Sequence, residues 1–272
     1  MIKKTVLLIA AITLVLIYQI DNARATEITV GGTGMSLGTM HIAGEAFTAK
    51  YPDMYVLVPP SMGSGGGIKA LIDDVIDLSL TARPLRRNEV AAGLTEELCV
   101  RTSLVFVSQP RFASDVKLEN LPSLYHEFDP RWPDGTPLKA ILRTRSGSEM
   151  PYLSDRVPGL ADAFMKARAR PDTLIGMTDQ LNASHAEIIK GSLAIASQMQ
   201  MLSERLRLKP MSIDGIFPGV ASLKDGSYPF SMRICAISKR SNSKTVTKQF
   251  IGFLKSEEGE AIFNRVGALL ER

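Results

Sequence analysis

The residues best suited to chemistry lie at Gly63-Ser64-Gly65-Gly66-Gly67, directly before the apolar spacing of Ile68, Leu71, Ile72 and Val75. That spacing puts one helical face in a core and places Ser64, Gly65 and Gly66 where the helix begins. N–H groups in a first helical turn have no intrahelical acceptor and carry the positive end of the macrodipole, so such a terminus suits an anion. Glycine admits an oxygen close to the backbone, and the Ser64 hydroxyl adds a donor. The same glycines also suit a tight βα turn without a ligand, and the loop alone leaves both readings open. A nucleotide P-loop does not match, because Ile68 follows Gly67 and Ala70 follows Lys69.

Other chemistry is thinly supported. His41, His126 and His185 are far apart, and His185 with Asp179 and Glu187 reads as a polar helix start or loop rather than a metal set. The acid pairs Asp73-Asp74, Glu96-Glu97 and Glu257-Glu258 read as solvated surface. No nucleophile with a base can be named, so neither an enzyme nor a cofactor is expected. Cys99 and Cys235 sit in the strand-like runs CVRTSLVFVSQ and FSMRICAIS, and either buried free thiols or a bridge would fit them.

The chain that must position these groups has 272 residues, 45% hydrophobic and 22% charged. This excludes a disordered protein, a coiled-coil or collagen-like rod and a disulfide-dense mini-domain. Met1–Lys4 is basic, Thr5–Ile20 is an uncharged apolar run, and Ala23-Arg24-Ala25 is a small-x-small cleavage pattern. This is the grammar of a secretory signal cleaved after Ala25, with a retained membrane anchor as the alternative. Export permits a disulfide. The net charge of +4 falls to +2, 29 basic against 27 acidic groups, without Lys3, Lys4, Arg24 and Asp21. No nucleic-acid footprint remains.

From Glu27 the pattern reads strand, Gly-rich turn, helix through Phe47, strand 54–58, the glycine loop, a helix over 67–76 and the short strand DLSLT. Ligands in open α/β sheets bind beyond the carboxyl ends of strands, where both Gly-rich turns fall. An apolar strand covers 101–109, and a lobe boundary is expected near Ser108. The middle region should hold strand 138–143, a helix over 159–169 and a helical stretch over 194–206. A strand from 228 then leads into two amphipathic helices marked by Val246, Phe250, Phe253 and Leu254, and by Ile262, Val266, Leu269 and Leu270.

The segment GSGGGIKALIDDVIDLSLTARPL resembles the substrate-binding proteins of bacterial phosphate ABC transporters, and ITVGGTG, LPSLYHEFDPRW, LRTRSGSE and DGSYPFSMRICAIS follow that family's order over most of the mature chain. The resemblance implies an α/β type II periplasmic-binding-protein clamshell with discontinuous lobes, 26–107 with 231–272 and 108–230, hinged on two crossing segments. It also implies capture of a small oxyanion, phosphate first, by a periplasmic monomer serving an inner-membrane ABC permease. Implied ligand residues are Thr33, Gly34 and Met35, then Ser64, Gly65, Gly66 and Arg83 from the first lobe. Arg143, Ser146, Gly147 and Ser148 would close from the second. Arg143 is preferred over Arg145, both being arginines whose planar fork suits an oxyanion. The chain departs from the family at Ala82, where Asp or Ser is usual, at Ser79, where Gly is usual, and in a loop after Arg143 one residue shorter. Ala82 and the shortened loop speak for an alternative, a clamshell sensor or accessory domain signalling to a membrane partner.

Overall fold

A computed structural model of the chain describes residues 26–271 apart from 127 and 243. The export segment expected over 1–25 lies outside the described residues. The first half runs β1 (Thr26–Gly32), a 3-10 turn (Gly34–Ser36), α1 (Leu37–Lys50), β2 (Met54–Leu57), α2 (Gly63–Ile72), β3 (Leu78–Thr81), α3 (Arg87–Ala91) and β4 (Leu94–Ser108). Next come β5 (Asp115–Val116), α4 (Ser123–His126), β6 (Lys139–Arg143), α5 (Glu149–Ser154), α6 (Leu160–Ala169), β7 (Leu174–Gly176) and α7 (Asp179–Ile188). They continue with β8 (Ser192–Ser197), α8 (Gln198–Ser203), β9 (Lys209–Pro210), β10 (Ser212–Ile213) and α9 (Val220–Lys224). The chain then returns through β11 (Ser231–Lys239), α10 (Thr245–Leu254), α11 (Glu257–Arg265) and β12 (Ala268–Leu270).

The strands pair in the order β2-β1-β3-β11-β4-β8-β6-β7, with β9 and β12 also on β4. β1 is parallel to β2 and β3, and β11 is antiparallel to β3 and β4. β8 is antiparallel to β4, and β6 is parallel to both β8 and β7. β4 therefore belongs to both halves: residues 94–103 lie opposite β11 and residues 104–107 opposite β8. It crosses between them beside the chain entering β11, where the Leu104 N–H donates to the Phe230 carbonyl at 3.1 Å.

Both halves are built on aromatic clusters. Phe47, Phe250 and Phe253 pack α1 against α10, while Phe106 touches Tyr125 and Phe230, and Tyr125 touches Phe164. Burial of each such ring contributes about 1.5–3 kcal/mol. A smaller core under α2 joins Ile68, Leu71, Ile76, Leu94 and Ile237 to Cys99 and Cys235. These cysteines stand opposite each other on β4 and β11 and form a disulfide, which decides between the two states left open by sequence.

Three element expectations are corrected. α2 begins at Gly63 and ends at Ile72, so its buried face is Ser64, Gly67, Ile68 and Leu71; Ile72 is exposed and Val75 is 68% exposed beyond the helix. The apolar spacing ran on into a turn through Asp74, whose φ is 57°. The expected helix over 194–206 is instead the buried strand β8 followed by α8, divided at Ser197, whose Oγ accepts from the Gln200 N–H at 3.0 Å. A short strand buried on both faces has no alternation to distinguish it from a helix. Leu269 and Leu270 lie on β12, opposite Arg101 and Val100, because Gly267 with φ 75° ends the helical path.

Candidate functional site

A cavity of about 590 Å³ opens between the halves, within the range of about 300–1,000 Å³ usual for small-molecule sites. Ten of the eleven expected residues line it: Thr33, Met35, Ser64, Gly65, Gly66, Arg83, Arg143, Ser146, Gly147 and Ser148. One wall is the end of β1 and the first turn of α2; the other is the loop after β6 and the entry to α7.

On the first wall, α2 is held close to the sheet by Gly67. A Cβ there would stand 2.6 Å from the Gly32 Cα and 2.7 Å from the Ser79 Oγ. A Cβ at Gly65 would meet no protein atom within 4 Å. The glycine run thus serves both readings left open by sequence, close packing at Gly67 and open space at Gly65. The first-turn N–H groups, without intrahelical acceptors, lie at the cavity. Ser64 Oγ accepts from the buried Ala82 N–H at 3.0 Å and lies 3.4 Å from Ser148 Oγ on the other wall. Arg83 reaches the cavity wall, yet its fork is taken by Glu89, Nη1 to Oε2 at 2.9 Å and Nη2 to Oε1 at 2.7 Å. That pairing holds the Glu89 carboxyl below the usual carboxylate range despite its burial. Arg83 is therefore a braced wall residue rather than a free clamp.

The second wall is an ionic network. Arg143 is buried, with Nε donating to Asp179 Oδ1 at 3.0 Å and Nη1 to the Gly176 carbonyl at 2.8 Å; Nη2 makes no hydrogen bond among the described residues. Arg168 Nη2 donates to the Arg143 carbonyl at 2.6 Å. Arg143 is thus a fixed group, whereas Arg145 is exposed on the wall with no ion-pair partner among the described residues. Glu149 is 1% exposed and its Oε1 has no hydrogen-bond partner. Burial first, then the nearby Asp179 carboxylate, push its carboxyl up to about 7, against the pull of its own backbone N–H, Arg143 and Arg168.

Gly34 is the expected residue that is not on the wall. A Cβ there would stand 2.4 Å from Gln180 Oε1 and 2.6 Å from Asp179 Oδ2, and its carbonyl accepts from Gln180 Nε2 at 2.9 Å. It marks where the two halves touch. Ala82 is buried with its N–H spent on Ser64.

Sequence reasoning missed Arg86, Glu149 and the role of Asp179, all on the wall. Thr178, which caps α7 by accepting from the Leu181 N–H at 3.1 Å, was a readable start signal for the helix that carries Asp179. Its pairing with Arg143, 36 residues away, had no local signal. Asp179, His185 and Glu187 share α7 but form no metal set: Asp179 holds Arg143, and Glu187 accepts from the Arg207 N–H. Among the described residues, the one cluster close enough for a metal is Glu96, Cys99 and Cys235, and its sulfurs are bonded to each other.

A family model described as a PBP superfamily domain matches residues 19–258. The phosphate-binding protein PstS of Borreliella burgdorferi is 21% identical over 285 residues, covering 98% of each chain. Two solved structures share the fold. One is a candidate phosphate ABC transporter substrate-binding protein from Clostridium perfringens, with bound phosphate: TM-score 0.75, 20% identity, 91% of this chain and 100% of that one. The other is an ABC-type phosphate transport receptor from Vibrio cholerae: TM-score 0.60, 19% identity, 90% of this chain and 100% of that one. The mixed α/β fold is that of two-lobed periplasmic binding proteins.

Proposed function

Because the chain belongs to the PBP superfamily domain family, we propose that it is an exported solute-binding protein that captures a small oxyanion, phosphate first, for an inner-membrane ABC permease. The carrying observation is the cavity in which the first turn of α2 faces Arg143 and Ser148 across a 3.4 Å contact between Ser64 and Ser148. Two names support phosphate as the first candidate: the Borreliella relative is called phosphate-binding, and the Clostridium structure holds phosphate.

We divide the lobes at 26–107 with 231–272 and 108–230. β4 and the chain entering β11 are the crossing segments. An anion touching both walls stabilises the closed arrangement, because only there does it gain both sets of contacts. The α2 N-terminus and Thr33 offer donors from one lobe. Arg143 Nη2, Arg145 and the 146–148 loop offer charge and hydroxyls from the other. On this reading the protein binds and releases its ligand unchanged, as a periplasmic monomer.

Calorimetric titration of refolded, ligand-free protein with phosphate, sulfate, molybdate and phosphonates tests this. At 100 times its dissociation constant, a true ligand adds about 2.7 kcal/mol of stability, visible as a raised melting temperature. Silence across the panel overturns the carrier reading. A sensor that signals to a membrane partner is the second reading, favoured by Ala82 in place of the family's polar residue. A mature N-terminus at Thr26 speaks for the carrier, and an intact Met1 in the membrane fraction for the sensor.

A further inference from the structure

Two carboxyl groups stand on the cavity wall, and they are not equivalent. Asp179 is neutralised by Arg143 Nε at 3.0 Å. Glu149 has no ion-pair partner within reach among the described residues, is 1% exposed, and leaves Oε1 without a hydrogen bond. A Cβ at Gly147 would lie 2.4 Å from that oxygen, so the carboxyl packs directly against the backbone of the anion-side loop. The charged groups around it are Asp179 at the start of α7, Arg143 at the end of β6 and Arg168 on α6. On the wall facing it, Arg83 is held by Glu89, and Arg86 is exposed.

An ionised Glu149 would make two carboxylates share one buried guanidinium. A doubly charged anion in the same cavity would add further negative charge where water screens poorly. The arrangement is relieved by one proton. We propose that Glu149 is a specificity-determining residue that couples anion capture to a proton: a fully ionised oxyanion enters only as Glu149 takes one up, whereas a hydrogen phosphate brings its own. The role rests on the oxyanion reading of this cavity. The carboxyl already sits near neutrality through burial, so this uptake costs little at ordinary pH.

Sulfate carries no proton above pH 5 and is the probe, with phosphate titrated beside it into the full chain and its Glu149→Gln variant from pH 5.5 to 8.5. In the native protein, sulfate affinity should fall about tenfold per pH unit above neutrality, as expected for uptake of one proton. In Glu149→Gln it should be independent of pH and, at pH 8.5, at least about tenfold tighter than native. A group with a raised folded-state pKa contributes stability below its unfolded value, lost as pH rises through the folded value. Glu149→Gln should therefore melt above the native protein at pH 8.5 and not at pH 5.5, which also reports folding. If the variant does not fold, native sulfate titrations at pH 7 in two buffers of different ionisation heat count the proton directly. A flat native profile, an unchanged slope in the variant, or exclusion of sulfate from both proteins at pH 5.5 while phosphate binds overturns the proposal. Absence of binding by either anion at every pH overturns the oxyanion reading itself, and with it this role.

Discussion

The wall formed by β1 and α2 and the wall formed by β6 and α7 come within 3.4 Å at Ser64 and Ser148, yet they are built on different principles. The first offers backbone N–H groups at the start of α2, with Arg83 braced by Glu89 and Arg86 beside them, and the side chains of that first turn are small because α2 lies almost against the sheet at Gly67. The second offers charge, held by Arg143, Asp179 and Glu149 in a buried network. A backbone site should be sensitive to volume and indifferent to side-chain charge. A site made of ionised side chains should be the reverse.

The sharpest way to break the contrast is Arg143→Ala. Loss of the guanidinium leaves Asp179 buried and uncompensated beside Glu149, which should cost about 3–5 kcal/mol in denaturant unfolding and about a hundredfold in phosphate affinity. An affinity within about twofold of native would remove Arg143 from the site. Next in size is the bridge under the first wall. Replacing Cys99 and Cys235 by Ala opens a link between residues 136 apart and should lower stability by about 4 kcal/mol, while calorimetry finds phosphate affinity unchanged.

Volume is tested by two neighbouring glycines. Gly67→Ala forces a methyl into Gly32 and Ser79 and should cost about 1–3 kcal/mol of stability. Gly65→Ala meets no protein atom, so its melting temperature should not fall, but phosphate binding should weaken because the methyl occupies ligand space. If both variants bind and melt alike, the two-use account of this loop fails. Ser64→Ala orphans the Ala82 N–H, costing about 1 kcal/mol and about tenfold in affinity. The smallest effect belongs to His185→Ala, which should leave affinity within about twofold of native, since His185 lies outside the cavity.

The site was readable in the sequence where its chemistry is local. A glycine run ahead of helical periodicity marks a helix terminus whichever way the chain folds around it, and Ser64, Gly65 and Gly66 do line the cavity. The Arg143–Ser148 loop was legible by family resemblance and lies there too. Glu149 and Asp179 were less legible: an acid following Ser-Gly-Ser and an acid opening a helix are ordinary surface features until β6 brings Arg143 between them. Arg83 lies on the wall as well, but that Glu89, six residues on, takes its fork shows only in the structure. Element errors had a common cause. SLAIAS, and Leu269 with Leu270, are short apolar runs whose strand or helix state depends on a partner strand.

By itself the sequence determined the α/β rhythm, the helix terminus at Ser64 and the family pattern, because each is written in neighbouring residues. Only the tertiary structure decided that Cys99 meets Cys235, that Gly34 is a contact between halves, that Arg83 is braced, and that Glu149 is buried beside the cavity with Oε1 unbonded. Those outcomes depend on which groups lose water together, and the burial that sets charge, pairing and room for a ligand exists only once β4 and β11 have joined the two halves.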